Sequence, residues 1–250
     1  MKKEMRIYPD YVTLCQEAAQ LVKSLIQKSI QERNICLLVL SGGSTPRGLY
    51  RYFSSENYSK TIPWGKVHIF WGDERCVLPE DPESNYGQAK RDFIDQIEIP
   101  AQNIHRIPVE LGSHQAALRY QNELHKFASG SSDMPIFDLV LLGLGEDGHA
   151  ASIFPGSVVD VSQSVQVVAA HYQDRPVERI TLTPLSLNNA RNILFLVSGE
   201  SKAKAVASSL EGSFDPVQKP SQRINPPEGH IFWLLDEPSS QLLSLKKEAV

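Results

Sequence analysis

The chain has 250 residues, of which 41% are apolar and 22% charged, and its formal net charge is −4. This is ordinary composition for a folded α/β protein, with no global basic field to hold nucleic acid or an anionic membrane. The opening Met1-Lys2-Lys3-Glu4-Met5-Arg6 lacks the apolar core of a signal peptide, and no run approaches the roughly 18 apolar residues of a membrane helix, so a cytoplasmic protein is expected.

Apolar residues Leu14, Ala18, Leu21, Val22, Leu25 and Ile26 recur at helical spacing, predicting a helix over 11–30 with Asp10 as its N-cap. Residues 35–40 are apolar without alternation, as in a strand covered on both faces; a glycine-containing turn follows, and Pro46 is placed to open the next helix. Val67–Trp71 reads as a strand leading into a polar loop, after which Ser84 caps a predicted helix running to about residue 97. Further along, 113–128 reads as helix and 136–142 as a buried strand. Strands are predicted at 165–170, 179–183 and Asn192–Val197, then a helix over 201–210, a last strand at 231–235 and a short closing helix. The Pro-rich segment 215–229 reads as a surface connection. Strands alternating with helices predict one α/β domain over 1–250, with a mostly parallel, Rossmann-like sheet, helices on both faces and right-handed crossovers.

Chemistry-bearing residues gather where strands end, the edge at which open α/β sheets bind ligands. Ser41-Gly42-Gly43-Ser44-Thr45-Pro46 leaves backbone N–H groups and two hydroxyls at a helix start, a cradle for a phosphate that is not a Walker A loop. Trp71-Gly72-Asp73-Glu74-Arg75 should rise on the same side. There Arg75 can grip a phosphate with two N–H groups, and Asp73 can act as acid or base or hold that arginine. Gly143-Leu144-Gly145-Glu146-Asp147-Gly148-His149 brings two carboxylates and an imidazole to the end of a buried strand, where His149 can move protons near neutral pH. The same loop spells G-x-G-x-x-G, but Glu146 and Asp147 would repel a pyrophosphate, so nucleotide binding is not expected. Nor is a metal, because the remaining histidines show no ligand spacing; Cys15, Cys36 and Cys76 lack a C-x-x-C and fit reduced, buried thiols. A Ser–His–Asp triad would need a G-x-S-x-G elbow that is absent, and a general base acting on water requires fewer assumptions. Arg179 and Lys202 matter only by position, since the strand exits can share one cleft.

These segments, together with Ser84-Asn85-Tyr86, Ala151-Ser152 and Phe154-Pro155, Arg179-Ile180-Thr181-Leu182-Thr183 and Ser198-Gly199 followed by Lys202-Ala203, resemble in order the 6-phosphogluconolactonase family. The resemblance implies a cofactor-free hydrolase converting 6-phosphoglucono-δ-lactone to 6-phosphogluconate in the oxidative pentose phosphate pathway, on the fold shared with glucosamine-6-phosphate deaminases. Phe154 stands where the deaminases carry a glutamate used in ring opening, and Arg75 where they usually have an aromatic residue; both favour the lactonase. The expected roles are His149 as general base, Asp147 or Asp73 orienting it, and Gly42, Gly43, Ser44, Thr45, Arg75, Arg179 and Lys202 around the phosphate. Asn85, Gly145 and Gly148 would line the sugar. The partner is a small sugar-phosphate lactone, and the chain is expected as a monomer or weak homo-oligomer. A deaminase or isomerase of the same fold and a non-catalytic sugar-phosphate sensor are the alternatives.

Overall fold

The structure, a computed structural model, describes residues 2–128, 133–170 and 178–244. Among these described residues the main sheet has seven strands in the order β1-β10-β9-β6-β2-β3-β5, and every neighbouring pair is parallel. In chain order these are β1 (Lys2–Tyr8), β2 (Cys36–Leu40), β3 (Val67–Trp71), β5 (Ile104–His105), β6 (Leu139–Leu142), β9 (Asn192–Val197) and β10 (His230–Asp236). A second sheet of three strands, β4 (Asp73–Arg75), β8 (Glu178–Leu182) and β7 (Val165–Ala169), is antiparallel. From β2 the chain winds outward through β3 to β5; from β6 it winds the other way through β9 to β10. The order therefore reverses between β2 and β6, the kind of switch point at which open sheets form a crevice.

The central strands follow from unbroken apolar runs. Cys-Leu-Leu-Val-Leu in β2 and Leu-Val-Leu-Leu in β6 are buried at every position, as strands covered on both faces must be. The core joins them to Phe195 and Trp233 from neighbouring strands, stacked at 4.1 Å between centroids, and to Ile180 and Leu182 from the small sheet. Helix α1 (Tyr11–Arg33) starts at the predicted Asp10 cap, whose carboxylate accepts from the Thr13 N–H at 2.8 Å. It runs past residue 30 and stops at Asn34, whose left-handed φ of 62° lets its N–H reach the Ile30 carbonyl.

Three differences from the sequence reading have physical causes. β1 was not expected, because Lys2, Lys3, Glu4 and Arg6 break its apolar pattern; among the described residues it is an edge strand paired with β10 alone, where charges discourage further pairing. The segment with Arg179 forms a strand but not in the parallel sheet: it pairs antiparallel with residues 73–75, themselves read as loop. The helix capped by Ser84 ends at Asp92 and continues only as a 3-10 turn over Ile94–Gln96.

Candidate active site

A cleft of about 460 Å³ lies at the carboxyl ends of β9, β6, β2 and β3, astride the switch point. Its floor is Ser41 to Pro46, between β2 and helix α2 (Ser44–Ser54). Two hydroxyls hold this turn in place. The buried Tyr50 hydroxyl donates to the Ser41 carbonyl at 2.6 Å and accepts from the Ser41 N–H at 3.1 Å. The Tyr11 hydroxyl, from α1, donates to the Thr45 carbonyl at 3.0 Å and accepts from the Gly48 N–H at 2.9 Å. The exit of β3 carries the same device: Tyr120 bridges the N–H and carbonyl of Trp71 at 2.9 and 2.8 Å. A tyrosine thus supplies the partners that the strand loses at its end, and the loop leaves in a fixed direction.

One wall comes from the β6 exit. Asp147 Oδ1 lies 2.6 Å from His149 Nδ1 and also accepts from the His149 backbone N–H at 3.1 Å. Partial burial by itself would raise the Asp147 carboxyl, but its hydrogen bonds and charge interaction with His149 outweigh that and hold it below the ordinary range. The pair closes over Gly145, where a Cβ would sit 2.0 Å from His149 Nδ1 and 2.5 Å from Asp147 Oδ1; only glycine fits. The Phe154 ring packs on the imidazole at 4.7 Å between centroids, and the Arg179 guanidinium lies 5.6 Å from the same ring. Ala151, next along the loop, holds a left-handed φ of 50°, an uncommon state for a residue with a side chain and one often found at functional sites.

The opposite wall comes from the small sheet and from helix α3 (Asn85–Asp92). Arg75 and Arg179 are direct partners across the β4–β8 ladder, and both are buried. Like charges so placed repel, and each has an acid beside it, Glu83 for Arg75 and Asp73 for Arg179. Arg75 Nη1 binds the Glu83 carboxylate at 2.7 Å and the Glu83 carbonyl at 2.8 Å, whereas its buried Nε has no partner among the described residues. Asp73 accepts from the Ser152 hydroxyl at 2.5 Å and from Asn85 Nδ2 at 3.4 Å, and lies 4.0 Å from Arg179. At the end of the cleft near β9, Asp236 accepts from the Gly199 N–H at 3.1 Å and from the Ser198 hydroxyl, fixing the turn that leads to Lys202. Lys202 Nζ is 3.9 Å from Glu146.

The structure therefore brings Gly42, Gly43, Ser44, Thr45, Asp73, Arg75, Asn85, Gly145, His149, Arg179 and Lys202 to one cleft. Asp147 and Gly148 support the wall without forming its surface. Of the two acids considered for orienting the imidazole, Asp147 is the one bonded to it. Asp73 ties the Asn85, Ser152 and Arg179 segments together instead. Arg47, Glu83, Gln88, Glu146, Ser198 and Ser201 also line the cleft without having been singled out as ligand groups. Arg47 follows Pro46 in the first turn of α2, and Glu83 precedes the Ser84 cap, so adjacency to the recognised motifs was the available signal. Among the described residues no group of three or more His, Cys, Asp and Glu is placed to hold a metal ion, and no helix is long and apolar enough to cross a membrane.

Comparison with known proteins gives a consistent result. The family model described as glucosamine-6-phosphate isomerases/6-phosphogluconolactonase matches residues 9–233. A 6-phosphogluconolactonase of Nostoc sp. is 34% identical over 98% of this chain and all of that protein. The one from Synechocystis sp. is 38% identical over 92% of this chain and 94% of its own. Among solved structures, the 6-phosphogluconolactonase of Trypanosoma brucei superposes with a TM-score of 0.84 at 25% identity, covering 97% of this chain and 99% of that one.

Proposed function

The chain belongs to the glucosamine-6-phosphate isomerase/6-phosphogluconolactonase family, and we propose that within it this protein hydrolyses 6-phospho-D-glucono-1,5-lactone to 6-phospho-D-gluconate. The observation that carries the reading is the sharing of one cleft by an acid-backed imidazole and a buried arginine pair. Phe154 at the end of the histidine loop supports a lactonase over a deaminase, because an apolar ring there offers no carboxylate for ring opening.

A δ-lactone is an activated ester, so catalysis needs positioning and one proton transfer rather than a covalent nucleophile. With the His149 Nδ1 proton directed at Asp147, the neutral ring carries its lone pair on Nε2. Nε2 takes a proton from water as the water oxygen bonds to the lactone carbonyl carbon. When the tetrahedral intermediate collapses, the bond from that carbon to the ring oxygen breaks, and the imidazolium returns the proton to the departing oxygen. Asp147 stabilises the imidazolium between these steps. The phosphate, remote from the reacting carbon, is gripped by the Gly42–Thr45 turn with Arg75, Arg179 and Lys202, and that binding energy orients the carbonyl. Asn85, lining the same cleft, has a buried Oδ1 without a partner among the described residues, suited to a sugar hydroxyl.

Replacing His149 with alanine tests the assignment. Turnover should fall by roughly two to four decades while 6-phosphogluconate affinity stays nearly intact. A rate above the spontaneous background equal to the wild type's would remove His149 from the role.

A further inference from the structure

Glu74 lies on β4 between two cleft residues, Asp73 and Arg75, and strand alternation turns its side chain to the other face. There the residue is 2% exposed and meets the amino end of α3. Glu74 Oε1 accepts from the backbone N–H groups of Arg75 and Asn85, each at 2.8 Å. Oε2 accepts from the Tyr86 N–H at 2.8 Å and the Ser84 hydroxyl at 3.2 Å. Two of the N–H groups that a helix start leaves unsatisfied are thus bound by a carboxylate from a neighbouring strand.

The arrangement works against burial. Desolvation pushes the Glu74 carboxyl up to about 7, although the three backbone N–H bonds pull the other way. An apolar residue at this position would avoid that cost but leave three backbone N–H groups and the Ser84 hydroxyl without this acceptor, so the acid is kept for the donors it gathers. What it controls is visible in its neighbours. Asn85, whose N–H it binds, presses its side chain into the space beside Gly42, where a Cβ would sit 1.9 Å from Asn85 Oδ1. The Asn85 amide also donates to the Asp73 carbonyl at 2.9 Å. Arg75, whose N–H it also binds, holds Glu83 immediately before the Ser84 cap.

We propose that Glu74 is a positioning residue: it locks the amino end of α3 onto β4, so that Asn85 and Arg75 present the sugar phosphate to His149 in one orientation. The role rests on the lactonase reading above. Glutamine at this position keeps the size but turns an NH₂ toward one pair of the donors that the carboxylate accepts.

The experiment is a double-mutant cycle of Glu74→Gln and Asn85→Ala, read both as kcat/KM on the lactone and as Kd for 6-phosphogluconate. Glu74→Gln should lower kcat/KM by roughly 10- to 100-fold in folded protein, as sub-ångström misplacement does. Asn85→Ala should cost at least about threefold less in that background than in the wild type, because the two act as one unit. A purely structural role would lower Tm yet leave independent, multiplying losses. That outcome, or an unchanged kcat/KM in a folded Glu74→Gln protein, overturns the proposal. If Glu74→Gln does not fold, Glu74→Asp, which keeps the carboxylate but withdraws it by one methylene from the four donors, takes its place. A loss of about two- to fivefold, again less than multiplicative with Asn85→Ala, supports the role, and wild-type kcat/KM refutes it. A wild-type protein that binds 6-phosphogluconate without hydrolysing the lactone sinks the activity reading and leaves the cycle legible in Kd; one that does neither sinks both.

Discussion

Asp147→Asn isolates what the carboxylate does for His149. The asparagine carbonyl can still accept from His149 Nδ1 and from the backbone N–H, so the fold of the loop is kept and the charge is lost. Opposite charges about 4 Å apart attract by about 1 kcal/mol in water and about 4 kcal/mol at an effective dielectric of 20. The Asp147 side chain is 31% exposed and that of His149 17%, which places the pair between these limits. About 2–3 kcal/mol of imidazolium stabilisation should therefore disappear, a fall in kcat of roughly 30- to 150-fold. If the amide turns its NH₂ to Nδ1, the ring is driven to the other tautomer and the loss deepens. The assay is the initial rate of acid release from freshly prepared lactone with the spontaneous rate subtracted, beside a titration with 6-phosphogluconate. A kcat within twofold of wild type would refute the reasoning, as would a loss of product affinity as large as the loss of rate.

Gly145→Ala should abolish most activity in a protein that still folds, because its Cβ would occupy space 2.0 Å from His149 Nδ1; an active variant with an unshifted histidine NMR signal would contradict the packing. Lys202→Ala should weaken binding of phosphorylated ligands by roughly 10-fold or more while sparing unphosphorylated gluconolactone, the loss expected for a charge-assisted contact. Equal discrimination between the two lactones would remove Lys202 from the anchor. Glu74 makes stability depend on pH with a definite sign. Its folded value is raised from 4.5 to about 7, so its contribution is fully present below 4.5 and is lost as pH rises through about 7. Wild type should lose up to roughly 3 kcal/mol relative to Glu74→Gln across that window, measured by urea unfolding at several pH values. Parallel stability–pH curves for the two proteins would show that burial does not govern this carboxyl.

The parallel sheet was legible because β2 and β6 are written as uninterrupted apolar runs, β9 as one after Asn192 and β3 as one broken only by His68, each followed by glycine or small polar residues. The cleft was legible for the same reason: a reader who knows that these strands are parallel knows that their exits share an edge. What escaped was whatever depends on pairing between distant segments. Asp73-Glu74-Arg75 has no strand pattern of its own and becomes β4 only because residues 179–181 lie beside it. The facing of Arg75 on Arg179 is a register fact that neither motif contains. Glu74 read as one more charge in a polar loop, since nothing local shows that the helix after Ser84 folds back onto it. Which of Asp73 and Asp147 bonds the imidazole likewise depends on how the loops fold, because both sit at strand ends in glycine-containing loops.

Each cation at the cleft faces an acid. Arg47 pairs with Asp92 at 2.8 Å, Arg75 with Glu83 at 2.7 Å, Arg179 with Asp73 at 4.0 Å and Lys202 with Glu146 at 3.9 Å. Unpaired, the buried guanidinium groups would carry a large desolvation cost, which these acids offset. They also set a limit on the anchor, since a phosphate dianion at the proposed site gains the cations only against three carboxylates, Asp73, Glu83 and Glu146, lining the same cleft. On the proposed reading, these acids temper the hold on a product that has gained a second anionic group. Because tight ground-state binding does not raise kcat, the proposed lactonase would gain from such a balance of charge, and replacing Glu83 or Glu146 with glutamine should tighten 6-phosphogluconate binding without raising kcat; a titration beside the rate assay that finds looser binding would refute it.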